Sequence, residues 1–123
     1  MFTAIITGAS SGIGKAIYER LKNESEFSDV IGISRRGPDI RLDLSNCEVN
    51  KDQFPKIDLL VNCAGIMPFE ESKTVFDVNF WGTYNLIQNL LPNFKPGSCI
   101  INIASVSGIV PDPELPVYAA SKA

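Results

Sequence analysis

Apolar residues come in short runs separated by glycine and polar punctuation. Residues 2–7 are apolar and β-branched up to a stop at Gly8, the pattern of a buried strand. Over 12–23, Ile13, Ala16, Ile17 and Leu21 recur at helical spacing and predict an amphipathic helix. A second strand is expected over 30–34. A weaker third is expected over 39–44, where Ile40, Leu42 and Leu44 alternate with Arg41 and Asp43. Residues 57–62 and 99–104 are strongly apolar and read as central strands buried on both faces. Between them a long helix is predicted over 73–91, its core stripe formed by Phe76, Phe80, Thr83, Tyr84, Ile87, Leu90 and Leu91. A last helix is expected to start near Pro116. Strand, helix and strand in alternation predict an α/β fold, a parallel sheet wrapped by helices, with no repeat or interdomain linker.

Two features depart from a complete domain of this kind. Only five residues, 35–39, join the second and third strands, whereas a parallel crossover normally takes a dozen or more, so the third strand should be short, splayed or absent. The helix beginning near Pro116 reaches Ala123 after a turn or two with no stop signal, which suggests a truncated chain.

The chain has 123 residues, with 11 basic and 14 acidic side chains, a net charge of -3 and no histidine. That suits one globular domain or part of one. No apolar run approaches the roughly 18 residues of a membrane span, and Met1-Phe2-Thr3 carries no basic leader, so a cytoplasmic chain without a membrane partner is expected. Mild acidity without clustered cations argues against a nucleic-acid partner; Arg35-Arg36 is the basic pair of interest. Cys47, Cys63 and Cys99 are odd in number and widely spaced, which suggests neither disulfides nor a thiolate metal site; reduced, buried thiols are expected. Without imidazole the chain cannot build a Ser-His-Asp triad, a Cys-His dyad or a His-ligated metal centre, and no metal is expected.

The segment Thr7-Gly8-Ala9-Ser10-Ser11-Gly12-Ile13-Gly14 joins the first strand to the first helix. Its glycines allow a tight turn and close approach of a ligand, and the helix start offers free N–H groups to a pyrophosphate. A Walker A loop anchored on Gly14-Lys15 fails, because Ala9 and Ala16 stand where glycine and a metal-binding hydroxyl are required. Gly8-Ala9-Ser10-Ser11-Gly12 also matches a nucleophile elbow, but no upstream loop exists to complete an oxyanion hole and no histidine to activate the serine. Near the other end, Tyr118 and Lys122 lie four apart in a helical segment and so share a face. Ionising a free phenol of pKa about 10 at neutral pH costs about 4 kcal/mol. A neighbouring ammonium lowers that cost and suits the tyrosine to general acid or base work.

These features occur together. Thr7-Gly8-x-x-x-Gly12-x-Gly14, Asn62-Cys63-Ala64-Gly65 after a central strand, Asn79 in the long helix, Ser105 after the 99–104 strand and Tyr118-x-x-x-Lys122 thirteen residues later match in order and spacing. In this the sequence resembles the short-chain dehydrogenase/reductase family over essentially its whole length, corresponding to roughly the family's first half. The resemblance implies a Rossmann-type doubly wound sheet with helices on both faces, strand order 3-2-1-4-5, in one NAD(P)-binding domain over 1–123 truncated after the fifth strand. It implies hydride transfer between a nicotinamide cofactor and a small carbonyl or secondary alcohol. Ser105 would donate to the substrate oxygen and Tyr118 would be the acid or base. Lys122 would lower the phenol's pKa and bond the nicotinamide ribose, and Asn79 would help hold a relay water. Gly8, Ser10, Ser11, Gly12, Ile13 and Gly14 would cradle the pyrophosphate. Asp43 and Leu44 would flank the adenine, and Asn62, Ala64 and Gly65 the adenosine ribose.

Cofactor choice turns on the end of the second strand. Ser34 occupies the slot where an acidic residue would bond the ribose 2'-hydroxyl, and Arg35 and Arg36 follow it, which favours NADP over NAD. Residues 106–115, with Pro111 and Pro113, are expected to border the substrate. A homo-oligomer is expected of a full-length enzyme. The alternative is a catalytically silent nucleotide-binding or interaction fragment, in which the 99–104 strand would be an exposed apolar edge.

Overall fold

The structure, a computed structural model, describes residues 1–46, 48–66, 71–110 and 112–123. Cys47 and Pro111, for which burial and a substrate border were expected, lie outside the described residues. Five parallel strands form one sheet in the order β3-β2-β1-β4-β5. They are β1 (Phe2–Thr7), β2 (Phe27–Ser34), β3 (Ile40–Arg41), β4 (Ile57–Asn62) and β5 (Phe94–Asn102). This is the expected doubly wound order. Pairing of Thr7 with Ile33 and Asn62, and of Asn62 with Asn102, brings the carboxyl ends of β1, β2, β4 and β5 level. Open parallel sheets bind their ligands at that edge.

β1 is the centre of the core because its side chains alternate into two apolar layers. Ala4 and Ile6 pack with Ala9, Tyr18 and Val61 under α1 (Gly12–Lys22). Ile5 points the other way, into a cluster with Ile33, Leu60, Leu86 and Leu90. That second layer is roofed by α2 (Ser72–Phe76), a π-helical turn (Asp77–Gly82) and α3 (Thr83–Leu90), with α4 (Pro116–Lys122) packed against α2.

β3 is two residues long, as the short 35–39 link requires. The 42–56 link to β4 carries, among its described residues, only a 3-10 turn at Lys51–Gln53. It still closes the core: Leu44, Val49 and Phe54 are buried in the Ile5 cluster. The buried Asn93 side chain fastens it, its Nδ2 donating to the carbonyls of Lys51 (3.0 Å), Phe54 (2.9 Å) and Pro55 (3.1 Å).

Three expectations need correcting. The stripe expected on the long helix is rotated: Val75, Asn79, Gly82, Leu86 and Leu90 are buried, while Phe80, Tyr84 and Leu91 are exposed. The π-helical turn inserts a residue and shifts the helical phase, and Phe80 stacks on Tyr84 and edge-on to Trp81 outside the core. β5 is not buried on both faces. Ile100 and Ile101 are 39% and 43% exposed, because among the described residues no strand pairs with its outer side. It also runs 94–102 rather than 99–104, with a register shift between the Ile57–Phe94 and Leu59–Cys99 pairs where Pro96 and the positive-φ Gly97 interrupt it. For the same reason the thiols are free but not buried: Cys99 is exposed on the edge strand and Cys63 is half-buried.

Candidate active site

The turn after β1 is shaped by two glycines. Gly8 has φ of +65°, a conformation that side chains disfavour. Gly14 has no room for a Cβ, which would sit 2.2 Å from the Gly8 carbonyl oxygen. Thr7, fully buried, accepts hydrogen bonds at Oγ1 from the N–H groups of Cys63 (3.1 Å) and Ala64 (2.9 Å), and so fixes the 62–65 segment beside the glycine turn.

A cleft of about 310 Å³ opens there. Of the residues expected to bind a cofactor, Gly8, Ser10, Ser34, Arg35, Arg36, Asp43, Leu44, Ala64 and Gly65 line it. Ser11, Gly12 and Gly14 form the turn and helix start beside it, and Ile13 is 62% exposed. Asn62 is placed elsewhere, on a second cavity of about 250 Å³ shared with Asn79 and Lys122; Ala64 borders both. Ser105 and Tyr118 line neither cavity.

Electrostatics at the first cleft is set by short local bonds. Ser34 Oγ donates to the Gly37 carbonyl (2.6 Å) and accepts from the Arg36 N–H (3.1 Å), so this hydroxyl is committed to its own turn. Arg35 and Arg36 are exposed and make no ion pair among the described residues. Asp43 Oδ1 accepts from the Ser45 hydroxyl (2.7 Å) and N–H (3.0 Å), which hold its carboxyl below the usual carboxylate range, with Arg35 acting the same way.

The second cavity gathers amides and an ammonium. Asn79 accepts from the Ile66 N–H (2.8 Å) and donates to the Ile66 carbonyl (3.3 Å) and to Ser121 Oγ (3.2 Å). Its burial on the helix is thereby satisfied. A side chain on Gly65 would come 3.3 Å from Asn79 Oδ1 and 3.4 Å from Lys122 Nζ, so glycine there lets backbone, amide and ammonium converge. Lys122 Nζ donates to the Ile103 carbonyl (3.0 Å); burial pulls its pKa below the ordinary lysine value, with Cys63 acting in the opposite sense. Burial pushes the Cys63 thiol up, partly countered by Lys122. Asn62 donates to Asn102 Oδ1 (2.8 Å), and its own buried Oδ1 has no partner among the described residues. Ser105 caps a 3-10 turn at Val106–Gly108 by accepting from the Ser107 N–H (3.2 Å). Gly108 packs on the Lys122 carbonyl, where a Cβ would meet the oxygen at 2.3 Å. The Ser105 turn and the end of α4 therefore touch, but no hydrogen bond joins Ser105, Tyr118 and Lys122 among the described residues.

Reading the sequence missed Thr7, Ser45, Asn102 and Ser121 as parts of the site, and also Ile66, Thr74 and Val78, which line the first cleft. Thr7 stood in the glycine motif and Ser45 bonds Asp43 two residues before it, both local signals; the others contact the site through tertiary packing.

The carboxyl edge of the parallel sheet thus carries a glycine turn, a basic strand end and a half-buried lysine beside a buried asparagine, at the edge where open parallel sheets bind their ligands. Residues 45–123 match the family described as short chain dehydrogenase. The chain is 33% identical to an uncharacterized oxidoreductase of Staphylococcus saprophyticus over 153 residues, covering 98% of this chain and 65% of that protein. It is similar to the structure of 4-hydroxyisoleucine dehydrogenase complexed with NADH (TM-score 0.81, 32% identity, 99% of this chain and 63% of that one). It is also similar to a short chain dehydrogenase from Burkholderia cenocepacia in complex with NADP (TM-score 0.84, 28% identity, 98% and 60%). The chain belongs to the short-chain dehydrogenase family and spans just under two thirds of the length of these relatives. The staphylococcal alignment is longer than the chain itself, so that relative carries additional residues inside the matched span.

Proposed function

We propose that the chain is the cofactor-binding and catalytic portion of an NADP(H)-dependent oxidoreductase that interconverts a small carbonyl and a secondary alcohol. The observation that carries this reading is one continuous arrangement: the cleft runs from the Gly8 turn past the exposed Arg35 and Arg36 to Gly65, where Asn79 and Lys122 converge. The residues suit a dinucleotide, since glycine at 8 and 14 lets the backbone turn tightly and close to a ligand, and the two guanidiniums are exposed to meet a phosphate. When bound, the nicotinamide supplies or accepts the hydride.

The chain's own residues hold and move the proton. Tyr118 protonates the nascent alkoxide in reduction or deprotonates the alcohol in oxidation. Ser105 donates to the same oxygen and orients it. Lys122, carried on the same helix face, favours the phenolate and bonds the nicotinamide ribose. Asn79 holds the Ile66 segment that walls the cleft and helps keep a water in the relay to solvent. Ser10, Ser11, Gly12 and Ile13 meet the pyrophosphate, Asp43 and Leu44 the adenine, and Ala64 and Gly65 the ribose. The protein acts in the cytoplasm, as a homo-oligomer in its full-length form.

The test is Tyr118→Phe, assayed for carbonyl reduction and titrated with NADPH and NADH. Turnover should fall by about 10²–10⁴-fold, while the NADPH dissociation constant stays within about twofold. Undiminished turnover removes Tyr118 from the mechanism; tighter binding of NADH than NADPH overturns the cofactor assignment. A second reading, a nucleotide-binding chain without turnover, is favoured by the exposed β5 edge and is established if the unmutated chain binds NADPH yet reduces no carbonyl.

A further inference from the structure

The Arg35-Arg36 turn is fastened from behind by Asp39 and Tyr18, which do not line the cleft. Asp39 closes it: its N–H donates to the Gly32 carbonyl (3.1 Å) and its Oδ2 accepts from the Gly32 N–H (2.8 Å). The same Oδ2 accepts from the phenol of Tyr18 (2.8 Å), a buried residue on α1, which in turn accepts from Lys22 Nζ (3.0 Å). Inside the turn, Ser34 Oγ bonds the Gly37 carbonyl and the Arg36 N–H. Pro38 packs so closely on Gly32 and Ala9 that a Cβ on Gly32 would sit 2.8 Å from Pro38 Cδ and 2.9 Å from the Ala9 Cβ. Ala9 belongs to the glycine turn and donates its N–H to the Ile33 carbonyl (3.2 Å).

The basic turn and the glycine turn are therefore one packed unit, with the Tyr18–Asp39 bond as the clasp joining it to α1. A pair of guanidiniums on a loose five-residue link would lose part of its attraction for a phosphate to the ordering of two long side chains and their backbone. Held on a fixed turn, the pair meets the ligand already arranged.

We infer that Tyr18 and Asp39 are positioning residues that set the chain's preference for a 2'-phosphorylated adenosine ribose by fixing Arg35 and Arg36. The inference deepens the NADP assignment above and rests on it. It is tested on the intact chain by measuring dissociation constants for 2',5'-ADP and for 5'-AMP in the unmutated protein, Tyr18→Phe and Asp39→Asn. Thermal unfolding alongside shows that each variant is folded. Both variants should weaken 2',5'-ADP about tenfold, the loss expected for one hydrogen bond to a charged group, and leave 5'-AMP within about twofold. Tyr18→Phe conserves volume and decides the matter alone if Asp39→Asn does not fold.

Equal weakening of the two nucleotides, or no weakening of either, overturns the inference while leaving the NADP assignment standing. An unmutated chain that binds 2',5'-ADP no better than 5'-AMP overturns both.

Discussion

At the glycine-turn end of the cleft the polar groups are bound to one another. Thr7 holds the 62–65 segment, Ser34 holds Arg36 and Gly37, and Asp39 holds Gly32 and Tyr18. At the β5 end, by contrast, Ile100, Ile101, Val106 and Ile109 face solvent, and the Tyr118 hydroxyl has no hydrogen-bond partner among the described residues. The first region is held in shape by its own hydrogen bonds, ready for the ligand proposed for it. The second carries Ser105 and Tyr118, the proposed catalytic side chains, beside an apolar surface left open to solvent. Binding and turnover should therefore separate in this chain far more readily than in a fully enclosed site.

The contrast can be broken by matched substitutions. Ile5→Ala removes a fully buried side chain from the centre of the sheet and should cost about 2–5 kcal/mol in chemical denaturation. Gly14→Ala places a Cβ 2.2 Å from the Gly8 oxygen. Overpacking of this kind costs about 1–3 kcal/mol, and a displaced turn should also weaken NADPH binding in the same titration used for Tyr118→Phe.

A smaller effect is expected at Asp58, which ties β1 to β5 at the opposite, amino edge of the sheet by accepting from the Thr3 N–H (2.8 Å) and from Lys95 (3.0 Å). The Thr3 N–H first, and the Lys95 ammonium second, hold its carboxyl below the usual value. Above the unfolded-state pKa of about 4 its stabilisation is complete, and it is lost as pH falls through the lower folded value. Unfolding midpoints measured from pH 6 down to about 2 should show a shallower acid limb in Asp58→Asn. The smallest effect is expected for Ile101→Ala on the exposed edge, within about 0.5 kcal/mol. A loss there as large as that of Ile5→Ala would show β5 to be as integral to the core as β1.

The strands β1 and β4 were legible because both are short, apolar and bounded by glycine or asparagine, so burial and pattern agree, whereas the strand order was implied by the family resemblance. The rotated face of the long helix was not legible. Hydropathy counts Phe80 and Tyr84 as core and passes over Gly82, whose burial depends on contact with Leu44. The exposure of β5 was partly legible: its apolar run reads as a central strand, and only the short remainder of the chain after it suggested an edge. Within the site, most residues named from the fixed-spacing motifs lie at or beside the two cavities, Ser105 and Tyr118 excepted. Ser34 was expected to face the ribose, yet its hydroxyl is held by Gly37 and Arg36, a local bond that spacing cannot reveal. Tyr18 and Asp39 escaped notice because their bond joins α1 to the basic turn across 21 residues of sequence.

Asn93 shows how a shortened parallel fold can dispense with a crossover helix. A helix between β3 and β4 would satisfy its own carbonyls; the 42–56 segment instead turns three of them toward one amide nitrogen at the end of the α3 region. The segment's path is thereby written into a single distant side chain, and loss of that donor would leave Leu44, Val49 and Phe54 without the latch that keeps them against the sheet.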